Sequence, residues 1–582
     1  MRGTTLSILA LVSLTACATP DRKPVAGSSQ KASPLMGHVF ATNGDGDAYA
    51  RNNDLPDIKQ DFSTNQECVS SQHKDNDIIA RLFSCIVNTA AKQHAEWISD
   101  GFINGNEPLH LLFYFNGGLN TAADAGETAL GTVEAIQREH LFPIYMIWPT
   151  GALDTYKEDV TRVRNGRQIK PEDGALWPSL VVGDLLRGLG DTPVSANNSV
   201  EEFWGRKTSP ERYSLAYDEA KYREYGSGIL SSEIRVAASV NVDQMTKGDS
   251  TATTSVGDTL YYNAMTPVRA ATLPLTAGFG QTMWENMVRR SRTTVHAVSE
   301  FATDEQSEDA EAERKREETL KADLATFPHG SGGFGRFFQW LTNCRQDLSS
   351  PTSGCPADVR EGTRRLLANA DISLIGHSMG AIVINELLVA YPDLPYRNIV
   401  FLAGAASVRE TARAVAPILR ARGGETRFYS LSLHPANEAS EPTAGGVLLS
   451  GSLLVLVDEL FEHPKTIGDR TVGQWRNMRA AYQLFPPDVR NRITVRVFDR
   501  LPEPADSGIW SPTPLRHQDF NDATMPFWCP TFWGAPAAAS AATMSATSPA
   551  PQDQIGRCAE LVPAESLPFE RIQPAVTGAP ST

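Results

Sequence analysis

Apolar residues recur along this chain at two spacings, and the alternation between those spacings organises it. From Ile78 to Ile98 they return at helical intervals, and His110 to Phe115 follows as a near-continuous apolar run of strand length. Thr121 to His140 is helical and Ala-rich, and Pro143 to Trp148 gives a second buried strand. Phe334 to Leu341 and Val359 to Leu367 resume helical periodicity before a strand at Asp371 to Ile375 and a helix at Ala381 to Tyr391. Asn398 to Leu402, Arg427 to Leu433 and the Val-rich Ile493 to Phe498 complete the strands, with helices near Val408 to Leu419 and Leu448 to Phe461. Strand runs without polar alternation are buried on both faces. Their alternation with helices predicts an α/β fold, a mostly parallel, doubly wound sheet with active groups at the carboxyl ends of the strands.

The alternation lapses between Pro149 and about Gly333. Residues 149–333 therefore read as one large, mainly helical insertion, a candidate cap, with helices around Pro178 to Leu186 and Leu215 to Tyr225. Ala264 to Trp284 is apolar but broken by Pro267, Arg269 and Pro274, and the charged stretch Ala302 to Leu324 reads as an exposed helix with i,i+4 pairs. Residues 62–148 and 334–531 then form the two parts of a single catalytic domain. Ala18 to Asp61, rich in Pro, Gly, Ser, Asn and Asp, reads as a flexible tether within residues 17–61 that needs no fold. Residues 532–582 read as a low-complexity tail containing the Ala/Ser/Pro-rich stretch Ala535 to Pro551.

The N-terminus changes the picture of where this body resides. Arg2 followed by the short apolar run Leu6 to Leu14 has the form of an export signal over residues 1–16. Leu14-Thr15-Ala16-Cys17 resembles the lipobox of bacterial lipoproteins, which implies cleavage before Cys17 and its lipidation. Ala18 at the following position implies sorting to the outer membrane. Six further cysteines in an exported chain read as disulfides, and short loops suggest Cys68 with Cys85, Cys344 with Cys355 and Cys529 with Cys558. A net charge of −15 argues against nucleic acid and against electrostatic capture on anionic lipid. Membrane attachment is accordingly expected through the lipid anchor alone.

The chemistry centres on Gly376-His377-Ser378-Met379-Gly380, placed where a strand turns into a helix. A serine hydroxyl attacks poorly unless it is projected toward a general base and beside oxyanion donors, and a sharp turn flanked by Gly376 and Gly380 supplies that projection. This arrangement resembles the serine esterases and lipases of the α/β-hydrolase superfamily over about His110 to Trp148 and Asp371 to Phe520. The resemblance implies a chain order of nucleophile, acid and histidine, with an oxyanion hole built from the amide after the nucleophile and one from an earlier loop. Ser378 is then the nucleophile and Met379 supplies the first amide. Asn116-Gly117-Gly118-Leu119 looks like the family's His-Gly-Gly-x loop, with Asn in place of His, so that Gly118 or Leu119 donates the second.

Family order places the base among His434, His463 and His517, and His517, after the last strand, occupies the family's position. His377 adjoins the nucleophile and does not readily reach back to it. The acid is wanted after Arg427 to Leu433, where Glu438 is preferred, with Glu441 and Asp458 as alternatives. Neither a dinucleotide fingerprint, a phosphate-binding loop nor a zinc motif occurs, so no cofactor or metal is implied. The expected activity is hydrolysis of small or lipidic carboxylic esters through an acyl-enzyme. Its rivals are acyl transfer and a non-catalytic envelope lipoprotein that uses the same scaffold for binding.

Overall fold

The computed structural model describes residues 35, 37–46, 48, 75–118, 121–161, 163–164, 167–168, 177–189, 235–238, 277–296, 330–346, 354–421, 425–441, 451–462, 464–498, 513–535 and 558–561. Ten strands occur among them: β1 (Val39–Ala41), β2 (His110–Phe115), β3 (Phe142–Ile147), β4 (Val163–Arg164), β5 (Arg167–Gln168), β6 (Arg235–Ala238), β7 (Asp371–His377), β8 (Tyr396–Leu402), β9 (Arg427–Leu433) and β10 (Ile493–Phe498). Eight form one sheet in the order β1-β3-β2-β7-β8-β9-β10-β6, with every neighbouring pair parallel. The short β4 and β5 make a separate antiparallel pair.

The central strands follow directly from composition. β2, β3 and β9 are buried over nearly their whole length, because helices cover both faces of a parallel sheet. One face receives an aromatic cluster in which Phe40, Phe83, Phe113, Phe337 and Phe338 lie with ring centroids 4.8–6.2 Å apart. It joins β1 and β2 to the helices Asp75–Ser99 and Gly333–Arg345. Full burial of each such ring stabilises by about 2–3 kcal/mol.

Strand order reverses at one place. From β2 the chain passes to β3 on one side, and after the insertion it re-enters as β7 on the other side of β2, proceeding outward through β8, β9 and β10. The carboxyl ends of β2 and β7 therefore flank a topological switch point, the crevice in which open α/β sheets bind ligands. The helix after β2, Ala122–Arg138, starts at once. Thr121 caps it by accepting from the Asp124 amide, and the Asp124 carboxylate receives the Thr121 N–H in return.

Three boundaries differ from the sequence reading. The segment read as a tether supplies β1, which pairs with β3 and buries Val39, Phe40 and Ala41. The insertion is not wholly helical, since β6 extends the sheet beyond β10. Both strands are too short to show periodicity, and their order comes from pairing with a neighbour. The start of the tail also belongs to the body: Phe532 and Trp533 are buried, the Thr531 and Phe532 carbonyls each receive Arg496 Nη1 at 2.8 Å, and Cys529 is bonded to Cys558. Cys344 is bonded to Cys355 and Cys85 is disulfide-bonded, whereas Cys68 lies outside the described residues, as do Cys17 and the helices expected at Leu215 to Tyr225 and Ala302 to Leu324. Among the described residues no helix is long and apolar enough to cross a membrane.

Candidate active site

β7 ends at His377, and the helix Gly380–Ala390 begins two residues past Ser378. The turn between them is sharp enough to hold Ser378 at φ 50°, in the left-handed region that costs an L-residue about 1–2 kcal/mol. Hydrogen bonds to the next strand and the next helix hold it there. The Ser378 amide donates to Leu402 O at 2.9 Å, and its carbonyl accepts from Ala405 and Ala381 at 2.8 and 3.2 Å. Both flanking glycines are required by close approach. A Cβ on Gly380 would lie 2.5 Å from Phe115 O, and one on Gly376 would lie 2.8 Å from the Gly380 carbonyl carbon.

The loop after β2 runs alongside this elbow. A Cβ on Gly117 would meet His377 Nδ1 at 2.5 Å and the Ser378 Cβ at 3.2 Å, and one on Gly118 would strike the Met379 side chain. Asn116, buried, fixes the loop: its Oδ1 accepts from the Trp148 amide at 3.4 Å and its Nδ2 donates to Gly117 O at 3.1 Å. Thr150 Oγ1 donates to the same carbonyl. The Gly118 and Met379 amides, by contrast, make no hydrogen bond to any described residue. Amides without a partner among the described residues, one of them that of the residue after the serine, are what an oxyanion would need. Leu119, the alternative donor, lies outside the described residues.

Ser378 is 0 % exposed and its hydroxyl has no hydrogen-bond partner. From the insertion, the helix over residues 277–293 brings Met287 onto Gly118, where the Met287 Cε would sit 2.8 Å from an added Cβ. That helix is tied down by Trp284 donating to Glu462 at 2.8 Å and by Arg292 reaching Glu386 and Glu410. Trp284 and Met287, and Met283 beside them, are buried.

His517 opens a 3₁₀ turn, His517–Asn521, in the segment that follows β10. Its imidazole lies beside that of His377, ring centroids 5.2 Å apart, and burial, then the neighbouring His377, holds its pKa well below the usual histidine value. It is thus neutral, the form a base needs. Neither ring nitrogen has a hydrogen-bond partner among the described residues, so His517 is brought alongside the elbow without bonding to Ser378 or to a described carboxylate. His434 is buried at the end of β9 with its amide on Phe498 O at 2.8 Å, and His463 lies outside the described residues.

The carboxylates do other work than the sequence assigned them. Glu438, in the short helix Pro435–Ser440, is buried and receives Ser452 Oγ on one oxygen, while the other oxygen has no partner. It does not touch the imidazole. Asp458 is saturated by the Thr471 amide and hydroxyl, Gln474 and Asn477, a structural clamp on the loop around Thr471. Glu441 does meet residue 517, but at the main chain, accepting its amide at 2.9 Å. His377 completes the picture from the other side: its Nε2 lies 3.2 Å from the His517 carbonyl. Spacing carried no signal for these two contacts, since His377 looked like a bystander and Glu441 lies 76 residues from its partner.

Burial pushes the Glu438 carboxyl up to about 8, against the Ser452 hydrogen bond that lowers it. The unfolded chain ionises near 4.5, so Glu438 adds no penalty below that value and progressively destabilises the fold as pH rises from there toward 8. At pH 8 the penalty is about 4 kcal/mol or less. Glu438→Gln is therefore expected to raise the melting temperature at pH 8 and to leave it nearly unchanged at pH 4.5. A variant no more stable than wild type at pH 8 would contradict this account.

No protein-family model, curated protein or solved structure matches the chain.

Proposed function

We propose that this chain is an exported, lipid-anchored serine hydrolase that cleaves carboxylic esters through an acyl-enzyme, built on the α/β-hydrolase plan. The single observation that carries the reading is Ser378 at φ 50°, at the switch point, beside the unengaged amides of Gly118 and Met379. Chain order supports it: the glycine loop follows β2, the serine β7, the acidic residues β9 and the histidine β10. Disulfides such as Cys344–Cys355 and Cys529–Cys558 are in keeping with export to an oxidising compartment, and Cys17 is the proposed anchor.

In the proposed reaction Ser378 Oγ attacks the ester carbonyl as His517 takes its proton, and the Gly118 and Met379 amides hold the oxyanion. The tetrahedral intermediate collapses, the C–O bond to the alcohol breaks, and His517 protonates the departing alkoxide. Water, deprotonated by His517, then attacks the acyl-enzyme and releases the acid, returning the proton to Ser378. Because Ser378 is covered, substrate entry requires the side chains over it to move, after which His517 closes on the hydroxyl.

A second reading, a binding module on the same scaffold, is favoured by one observation: the Ser378 hydroxyl is buried and unbonded to His517. Incubation of the purified mature protein with a fluorophosphonate probe and with short-chain p-nitrophenyl esters separates the two. Covalent label on Ser378 with ester turnover supports the hydrolase. Absence of both leaves the binding module.

A further inference from the structure

Both main-chain polar groups of residue 517 are held by side chains from other elements. Glu441, past β9, takes the amide at 2.9 Å, and His377, the last residue of β7, sits with Nε2 3.2 Å from the carbonyl. A carbonyl only accepts, so His377 must carry its proton on Nε2. Its Nδ1 is then an acceptor, buried and unpartnered. The same turn is pinned further along, where the Tyr114 hydroxyl donates to Asn521 and Thr128 Oγ1 lies 3.5 Å from the Asn521 carbonyl. Asp519 closes the turn internally by accepting from the Leu515 and Arg516 amides.

A triad fixes its imidazole by a carboxylate on the ring. Here the ring nitrogens have no partner among the described residues, Glu441 is held at the main chain, and Glu438 gives one oxygen to Ser452 and leaves the other unpartnered. We infer that His377 and Glu441 are positioning residues that orient the His517 imidazole through its main chain, one hydrogen bond on each side, in place of a carboxylate on the ring. The inference rests on the hydrolase reading and deepens it. The geometry gives His377 a reason to precede the nucleophile: the side chain that starts the elbow also holds the base, so nucleophile and base are registered to one strand end. A shift of the base by an ångström costs about 10²-fold in rate, which sets the scale of the effect.

The test compares donor-keeping with donor-removing substitutions. His377→Gln retains an N–H at the reach of Nε2 and Glu441→Gln retains an acceptor, whereas His377→Leu and Glu441→Leu retain neither. Fluorophosphonate labelling rates and ester kcat and KM are measured for all four, with melting temperature read alongside. Expected is a 10- to 100-fold loss of kcat and labelling rate in each Leu variant at unchanged KM, with each Gln variant within about threefold of wild type. Glu441 is only half-buried, so its pair decides the matter should His377→Leu fail to fold. Leu variants that label at the wild-type rate, or Gln variants as impaired as Leu, overturn the clamp while labelling of Ser378 in the wild type leaves the hydrolase reading standing. A wild-type protein that does not label overturns both.

Discussion

Ser378→Ala is expected to abolish covalent labelling by a fluorophosphonate and to lower kcat for a p-nitrophenyl ester by about 10⁴-fold or more, with the fold intact. The size follows from the proposed role of Ser378 as nucleophile, since oxyanion donors alone recover only a residue of the rate. The fold should be indifferent, because Ser378 Oγ makes no hydrogen bond to lose. Ser378→Gly sharpens the test. Glycine occupies φ 50° without steric cost, so this variant should be inactive and more stable than wild type by about 1 kcal/mol. The strain of the turn thus shows itself as a gain of stability when the Cβ is removed. Labelling of Ser378→Ala equal to that of wild type would end the proposal.

The second large effect separates architecture from chemistry. Gly380→Ala should destabilise the protein by about 3 kcal/mol and remove labelling as well, because its Cβ would meet Phe115 O at 2.5 Å and Asn116 O at 3.1 Å. These are backbone atoms of β2 and its loop, with no flexible side chain to yield. The elbow must therefore move away from the glycine loop, which would separate the two amides proposed to hold the oxyanion. Gly362→Ala is the matched control. It lies in the helix Glu361–Asn369 with nothing within 4 Å of an added Cβ, and it should stabilise by about 0.5–1 kcal/mol. Equal melting temperatures for Gly380→Ala and wild type would show that the tight contact is not what holds the elbow.

What the sequence disclosed and what it withheld divide along physical lines. β2, β9 and β10 were readable to the residue because burial on both faces writes a continuous apolar run. β1 and β6 were not, because three or four residues beside polar segments carry no period of their own. The elbow was readable from glycines whose missing Cβ atoms prove to be needed. Preference for Glu438 as the acid came from position alone, and position does not tell which way a buried carboxylate turns: it turned to Ser452. The contacts of His377 and Glu441 are to a main chain, and main-chain partners leave no trace in residue identity.

The edge strand β1 has one more consequence, for how far the body can stray. If Cys17 is the point of lipidation, as proposed, the chain from there to Val39 of β1 reaches about 80 Å at most even if fully extended. The sequence alone had allowed a leash running to Asp61. On that proposal the Ser378 crevice would be confined to a shell above its own bilayer, where the local supply of acyl esters would be set by that membrane and not by the volume of the compartment.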